Sequence, residues 1–352
     1  MKPQQVLKSI VQAICINRPL FIWGPPGIGK SQMVAQVVKA INEGKIKIPG
    51  FDHKKETFHL IVVPCTLIEP VDALGLPYNN DKGIMKWSRP ELWPTDENWK
   101  GIIFFDELNS AIPAVQVACY RPAETDLNGD RWIGTHKLPR GARIVAAGNR
   151  DTDRAVTHKQ PTPLRSRYTR VDAEHDFKQW LEWAFAHGVA PVICAWIAFN
   201  PEMLFTFQPK LDQPAYSVPR SVVAASDYYR DGLDKDVEYD TYLGTVGEVA
   251  AVDLISFLRI YEDKVDPVAI LADPENAPLP TEAGTKYAIC AGLAGRADED
   301  TFAAIVTYSE RMGEEFTYLA VNSALSSNPD VASTSAFIEW ASTHNDFQQV
   351  AA

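Results

Sequence analysis

The chain has 352 residues, 46% hydrophobic and 22% charged, enough to bury a large core and to form two domains. Its 34 Lys and Arg against 45 Asp and Glu give a formal charge of −11, which argues against a general grip on nucleic-acid phosphates, although a local basic pore could survive within it. Five cysteines (Cys15, Cys65, Cys119, Cys194, Cys290) are scattered without metal-ligand spacing and read as packing thiols in a reducing compartment.

No targeting signal is expected at Met1 to Gln5, which leads into an expected amphipathic helix over about 3–16. An apolar strand, Leu20 to Trp23, then runs into Gly24-Pro25-Pro26-Gly27-Ile28-Gly29-Lys30-Ser31, followed by amphipathic Gln32 to Ile41. A Gly-rich loop between a buried strand and a helix start is a nucleotide phosphate cradle, because its backbone N–H groups and the helix N-terminus face the anion. Gly24, Gly27 and Gly29 allow close backbone approach, Lys30 reaches the β- and γ-phosphates, and Ser31 offers its hydroxyl to Mg²⁺. Pro25, Pro26, Ile28 and Gln32 complete the expected nucleotide-binding segment.

Further strands are expected at 58–64, 101–105, 142–147 and 169–172. Alternating with helical stretches, they predict a parallel sheet covered on both faces. Gly101-Ile-Ile-Phe-Phe-Asp106-Glu107 is a continuous apolar run ending in two carboxylates. At a strand end beside the phosphate loop, Asp106 would hold Mg²⁺ and Glu107 would activate the attacking water. A third strand end, Gly148-Asn149-Arg150, offers Asn149 as an amide able to bridge that water and the γ-phosphate. Two hairpins are expected: Leu76–Tyr78 with Ile84–Trp87 through Asn79–Gly83, and Asp130–Ile133 with His136–Leu138 through Gly134-Thr135.

From about Asp176 the pattern turns helical, with helix-period apolar positions in Phe177–His187, Ser221–Asp231, Val246–Tyr261, Lys286–Leu293 and Phe302–Val321. Loops rich in Pro and acidic residues fall at Asp263–Pro267 and Asp273–Pro280. Asn328-Pro329-Asp330 breaks the chain before a short helix around Ser335–Ser342. The longest apolar stretch, Ala184 to Phe199, is interrupted by His187, Gly188 and Pro191, so no membrane span is expected and the chain reads as cytoplasmic. The expected domains are an α/β core over 1–175, a helical lid over 176–325 and a C-terminal helical extension over 326–352. His53, His59, His136, His158, His175, His187 and His344 show no metal spacing. His158 reads as a solvated loop residue near the Arg165–Arg170 run. The only chemistry these residues support is Mg²⁺-dependent phosphoanhydride hydrolysis.

The order of the phosphate loop, Phe104-Phe105-Asp106-Glu107-Leu108-Asn109, Ala146-Ala147-Gly148-Asn149-Arg150, Leu164-Arg165-Ser166-Arg167-Tyr168 and Val218-Pro219-Arg220-Ser221 resembles an AAA+ ATPase of the MoxR type, in the short form carried by bacteriophages and bacterial operons. The likeness is close over about residues 1–230 and looser beyond. It implies a P-loop core with a five-stranded parallel sheet and an all-helical lid. It also implies a finger, Arg167 with Arg165 as second candidate, supplied to a neighbouring subunit's ATP, and a second sensor, Arg220, at the start of a lid helix. From the residues alone, Arg165, Arg167 and Arg170 are an ordinary basic surface run. The resemblance further implies a homo-oligomeric, hexameric ring that remodels or assembles a client protein, with a von Willebrand factor A-domain protein as one kind of partner. In such proteins the hairpins face the pore or partner side. The alternative is that they only cover the sheet, with Trp87 and Trp132 in its core. A nucleic-acid motor or loader, its pore lined by Lys82, Lys86, Arg131 and Lys137, and a monomeric P-loop kinase are the rival functions.

Overall fold

The computed structural model describes residues 1–150, 166–209, 211 and 213–344. The chain divides into two compact units, Met1–His175 and Asp176–Ala352. In chain order the first unit runs α1 (Pro3–Cys15), β1 (Leu20–Trp23), α2 (Lys30–Asn42), β2 (His59–Pro64), α3 (Pro70–Leu74), the hairpin β3 (Pro77–Asn79) and β4 (Met85–Trp87), β5 (Lys100–Asp106), α4 (Pro113–Ala118), the hairpin β6 (Trp132–Ile133) and β7 (His136–Lys137), β8 (Gly141–Gly148) and β9 (Thr169–Asp172).

Five of these strands form one sheet, all parallel, in the order β2-β5-β8-β1-β9. Every residue of β1, and Gly101 to Phe105 of β5, is buried. That explains the unbroken apolar runs: a parallel strand covered on both faces has no polar face to alternate with. β2, at the sheet's edge, is exposed at several points, including Val62. The register sets Trp23 opposite Gly148 and Phe105 opposite Ala146, so the C-terminal ends of β1, β8 and β5 lie together. Phe21, Trp23, Ile103, Phe105, Leu108 and Tyr168 share the core on one side of the sheet.

Four of the five cysteines are buried, and Cys15 is half-buried. The neighbouring Cys119 thiol, and after it burial, push the Cys65 thiol far up, and burial raises Cys194 and Cys290. None of these three is held as a reactive thiolate.

Both expected hairpins form. In the first, both strands begin one residue later than the sequence suggests, pairing Pro77 with Trp87 and Asn79 with Met85. Its loop is closed by Asn80, whose side-chain Oδ1 accepts from the N–H groups of Lys82 and Ile84, a local side-chain turn that takes Ile84 out of the strand. Trp87 and Trp132 are half-buried.

The second unit is helical: α5 (Phe177–Ala186), α6 (Pro191–Phe199), α7 (Pro219–Asp231), α8 (Lys235–Val246), α9 (Glu248–Lys264), α10 (Pro267–Ala272), α11 (Ala283–Ala294), α12 (Phe302–Met312), α13 (Glu314–Ser327) and α14 (Ser335–Thr343). Three of these carry no periodic signal in the sequence. α6 is buried on all sides from Val192 to Ile197 and therefore has no amphipathic pattern. α8 is a largely polar helix, and α10 has only six residues. The expected helix over 302–321 is two helices, α12 and α13, because Gly313 takes φ 118° and ψ 163° between them. Phe337 and Trp340 of α14 lie in the same core as Trp196, Leu254 and Phe302. Among the described residues no helix is long and apolar enough to cross a membrane.

The conformation of Gly313 is open to glycine almost alone, and nothing lies within 4 Å of where a Cβ would stand. Gly313→Ala should therefore destabilise the helical unit through backbone strain alone, by about 1–3 kcal/mol, read as a lower urea midpoint in far-UV circular dichroism.

Candidate functional site

The loop from Gly24 to Gly29 leaves β1 at the edge where the strand ends converge, and the Gly24 N–H donates to Gly148 O at 3.2 Å. α2 starts at Lys30 on a left-handed Gly29 (φ 89°) with no side-chain cap. A helix start of this kind has no intrahelical acceptor for its first-turn N–H groups, and its positive end favours an anion.

Lys30 is 9% exposed. Its Nζ donates to Gly24 O (2.8 Å), Pro25 O (2.9 Å) and Asn149 Oδ1 (2.9 Å). A buried ammonium needs such acceptors to offset its lost hydration. Here they tie the loop to the end of β8. Beside it, Ser31 Oγ donates to Asp106 Oδ2 at 2.6 Å, tying the start of α2 to the end of β5. Asp106 Oδ1 accepts the Glu107 N–H at 3.0 Å.

Glu107 follows with φ 52°, in the left-handed region that non-glycine residues seldom occupy. Its carboxylate is met from the neighbouring strand end, where Thr66 Oγ1 donates to Glu107 Oε2 at 3.2 Å. Asn149 is 8% exposed, and both of its backbone polar groups are bonded by the side chain of Asn109.

The structure therefore gathers Lys30, Ser31, Asp106, Glu107 and Asn149, at the ends of β5 and β8 and the start of α2. Thr66 and Asn109 are site residues that the sequence reading does not single out. The available signals were a hydroxyl just past β2, beside the acidic strand end, and the Asn in the Asp106-Glu107-Leu108-Asn109 run.

The arginines stand differently. Arg167 Nε is 2.6 Å from Glu124 Oε1 in the same chain, an ion pair without the alignment of a hydrogen bond. Arg170 pairs with Asp172 and lies over the Trp23 ring, 4.7 Å from its centroid. Arg220 is exposed in the first turn of α7, in the second unit. Leu164, Arg165 and His158 lie outside the described residues.

The donor set suits a phosphate chain with a hard divalent cation. Ser31 and Asp106 offer adjacent oxygens, and Lys30 and the loop N–H groups offer positive charge. Among the described residues no three His, Cys, Asp or Glu side chains gather as a metal cage, and Mg²⁺ commonly takes one or two carboxylates together with substrate phosphates and water.

No protein-family model and no curated protein matches the chain. Solved structures similar to it include NtrX from Brucella abortus, 15% identical over 92% of this chain and 67% of that one, with a TM-score of 0.39. NtrX in complex with ADP is 14% identical over 99% of this chain and 68% of that one, at 0.39. A candidate ATPase from Cytophaga hutchinsonii is 15% identical over 90% and 79%, at 0.34.

Gly148 sits where a side chain would collide with the site, since a Cβ there would stand 2.0 Å from Asn109 Oδ1. Gly148→Ala should cost about 1–3 kcal/mol of stability by overpacking, measured by urea denaturation.

Proposed function

We propose that this chain is a Mg²⁺-dependent ATPase of the AAA+ kind, resembling the MoxR type, that works as a ring on a partner protein. The observation that carries the ATPase reading is the pair of contacts Lys30 Nζ to Asn149 Oδ1 and Ser31 Oγ to Asp106 Oδ2. They join a phosphate loop, an acidic strand end and an amide strand end into one cluster.

In this reading Lys30 exchanges its loop carbonyls for the β- and γ-phosphate oxygens and neutralises their charge. Ser31 and Asp106 would hold Mg²⁺, which when bound supplies further neutralisation of the phosphates. Glu107 accepts a proton from the attacking water, the task of a general base. Asn149 aligns that water with the γ-phosphate. Glu107 is what a hydrolase needs beyond a phosphate loop, and a small-molecule kinase has no use for it.

The finer parts extend the resemblance to this chain. Arg167 would leave Glu124 for the γ-phosphate of a neighbouring subunit, which requires an oligomer, with a hexamer as the expected size. Arg220 would act as the second sensor. The work would be remodelling or assembly of a client in the cytoplasm, with a von Willebrand factor A-domain protein as one partner class.

Lys30→Ala should weaken nucleotide binding. Glu107→Gln should retain binding and lose about 10²–10⁴ in turnover, measured by fluorescent-nucleotide titration and phosphate release. Wild-type hydrolysis in Glu107→Gln would overturn the ATPase site.

Arg167→Ala should cost about 10³–10⁵ in rate with ATP affinity kept. Mixed with Lys30→Ala it should recover activity, because an intact Lys30 site can then meet an intact Arg167. Variants that co-assemble without complementing would remove the shared-site model.

A further inference from the structure

We infer that Asn109 is a positioning residue for Asn149, one that continues the sheet by a single side chain and so fixes how the Asn149 amide is presented. The inference rests on the ATPase reading of the site.

β5 pairs with β8 in register as far as Phe105 opposite Ala146. At Glu107 the backbone enters the left-handed region (φ 52°) and the strand ends. One main-chain bond still crosses beyond it, from the Leu108 N–H to Ala147 O at 3.0 Å. Asn149, one residue past the end of β8, lies beyond the reach of that ladder.

The Asn109 carboxamide stands in for the next rung. Its Nδ2 donates to Asn149 O at 2.7 Å, and its Oδ1 accepts the Asn149 N–H at 3.2 Å. A carboxamide presents a donor and an acceptor as an opposing peptide would, which Asp, Leu and Ala cannot do. Asn109 is 0% exposed. The cost of leaving both Asn149 groups buried without partners makes the pairing strongly preferred.

The residue is itself held. Gln116, also buried, donates from Nε2 to Ala111 O at 2.9 Å and to Asn109 O at 3.4 Å. The absence of a side chain at Gly148 leaves room for Asn109 Oδ1.

The Asn149 side chain in turn accepts from Lys30 Nζ at 2.9 Å. One hydrogen-bonded line therefore runs from the turn that carries Glu107, through Asn109 and the Asn149 peptide, to the phosphate-loop lysine. Asn109 touches no reacting atom. Its effect passes entirely through Asn149, and it couples the setting of the water-aligning amide to that of the base two residues before it.

The test is a double-mutant cycle of Asn109→Ala with Asn149→Ala, reading kcat, ATP-analogue affinity and thermal stability. Asn109→Ala should lower kcat about 10- to 100-fold, as misplacement of an aligned group does. It should leave nucleotide affinity within about threefold, because ground-state contacts are kept. The double variant should be no slower than Asn149→Ala alone, since Asn109 has nothing left to position. Asn109→Asp, which matches Asn in shape and keeps the acceptor but not the donor, should lower kcat in the same direction and guards against a folding defect in the alanine variant.

Unchanged kcat in Asn109→Ala or in a folded Asn109→Asp, or rate losses that add in the double variant, would overturn the inference. Failure of the ATPase reading shows separately, as a Glu107→Gln protein that hydrolyses ATP at the wild-type rate.

Discussion

Parallel pairing of β1, β8 and β5 is the constraint from which the site follows. In a parallel sheet all strands point the same way, so their C-terminal ends share one edge. The register here brings Trp23, Gly148 and Asp106 to that edge within a residue of one another. Because the strands are buried on both faces, polar chemistry has nowhere to sit except at or just past their ends. Lys30, Ser31, Asp106, Glu107 and Asn149 all lie there or in the first turn of α2, which starts from the same edge. This is the general location of ligand sites in open parallel sheets.

The cluster is kept in readiness by contacts that a phosphate could replace. Lys30 is a buried cation satisfied by two loop carbonyls and one amide oxygen, all neutral. An anionic oxygen is a stronger acceptor for an ammonium than any of these, and on the proposed function a phosphate would take their place. Glu107 carries the opposite kind of preparation. Its left-handed backbone is of a kind that costs free energy and persists only where the surroundings impose it. The ladder bond from Leu108 and the Asn109 carboxamide are what impose it here. The thiols of Cys65 and Cys119 lie in the same core, and what holds the Cys65 thiol protonated keeps it inert as a nucleophile.

The helical unit is organised around elements that are apolar without being amphipathic. α6 is enclosed on all sides, and the Trp196 indole N–H within it is met by Asp253 Oδ1 at 2.6 Å. The same carboxylate accepts from Asn200 Nδ2, with both oxygens at 2.9 Å. Satisfying these groups lets a charged residue stand against the core without the desolvation cost of an unpaired one. α14 contributes Phe337, packed edge-on against Phe302 at 5.8 Å, so the last described helix belongs to this core.

Local patterns in the sequence were enough for the five parallel strands, both hairpins and the glycine-rich turn from β1 into α2, with Asp106, Glu107 and Asn149 at strand ends. Each of these depends on neighbours in the chain: an unbroken apolar run, a turn residue, a glycine spacing. What the sequence left open depends on distance in space. α6 has no period because its surroundings are apolar on every side; the break between α12 and α13 is the exception, a local backbone angle at Gly313. Thr66 and Asn109 become part of the site only when β2 and the turn after β5 are set beside Glu107 and Asn149. Tertiary structure alone decided those contacts. A hydrogen bond between residues 40 positions apart leaves no trace in local periodicity, and burial decides which polar side chains must find such a partner.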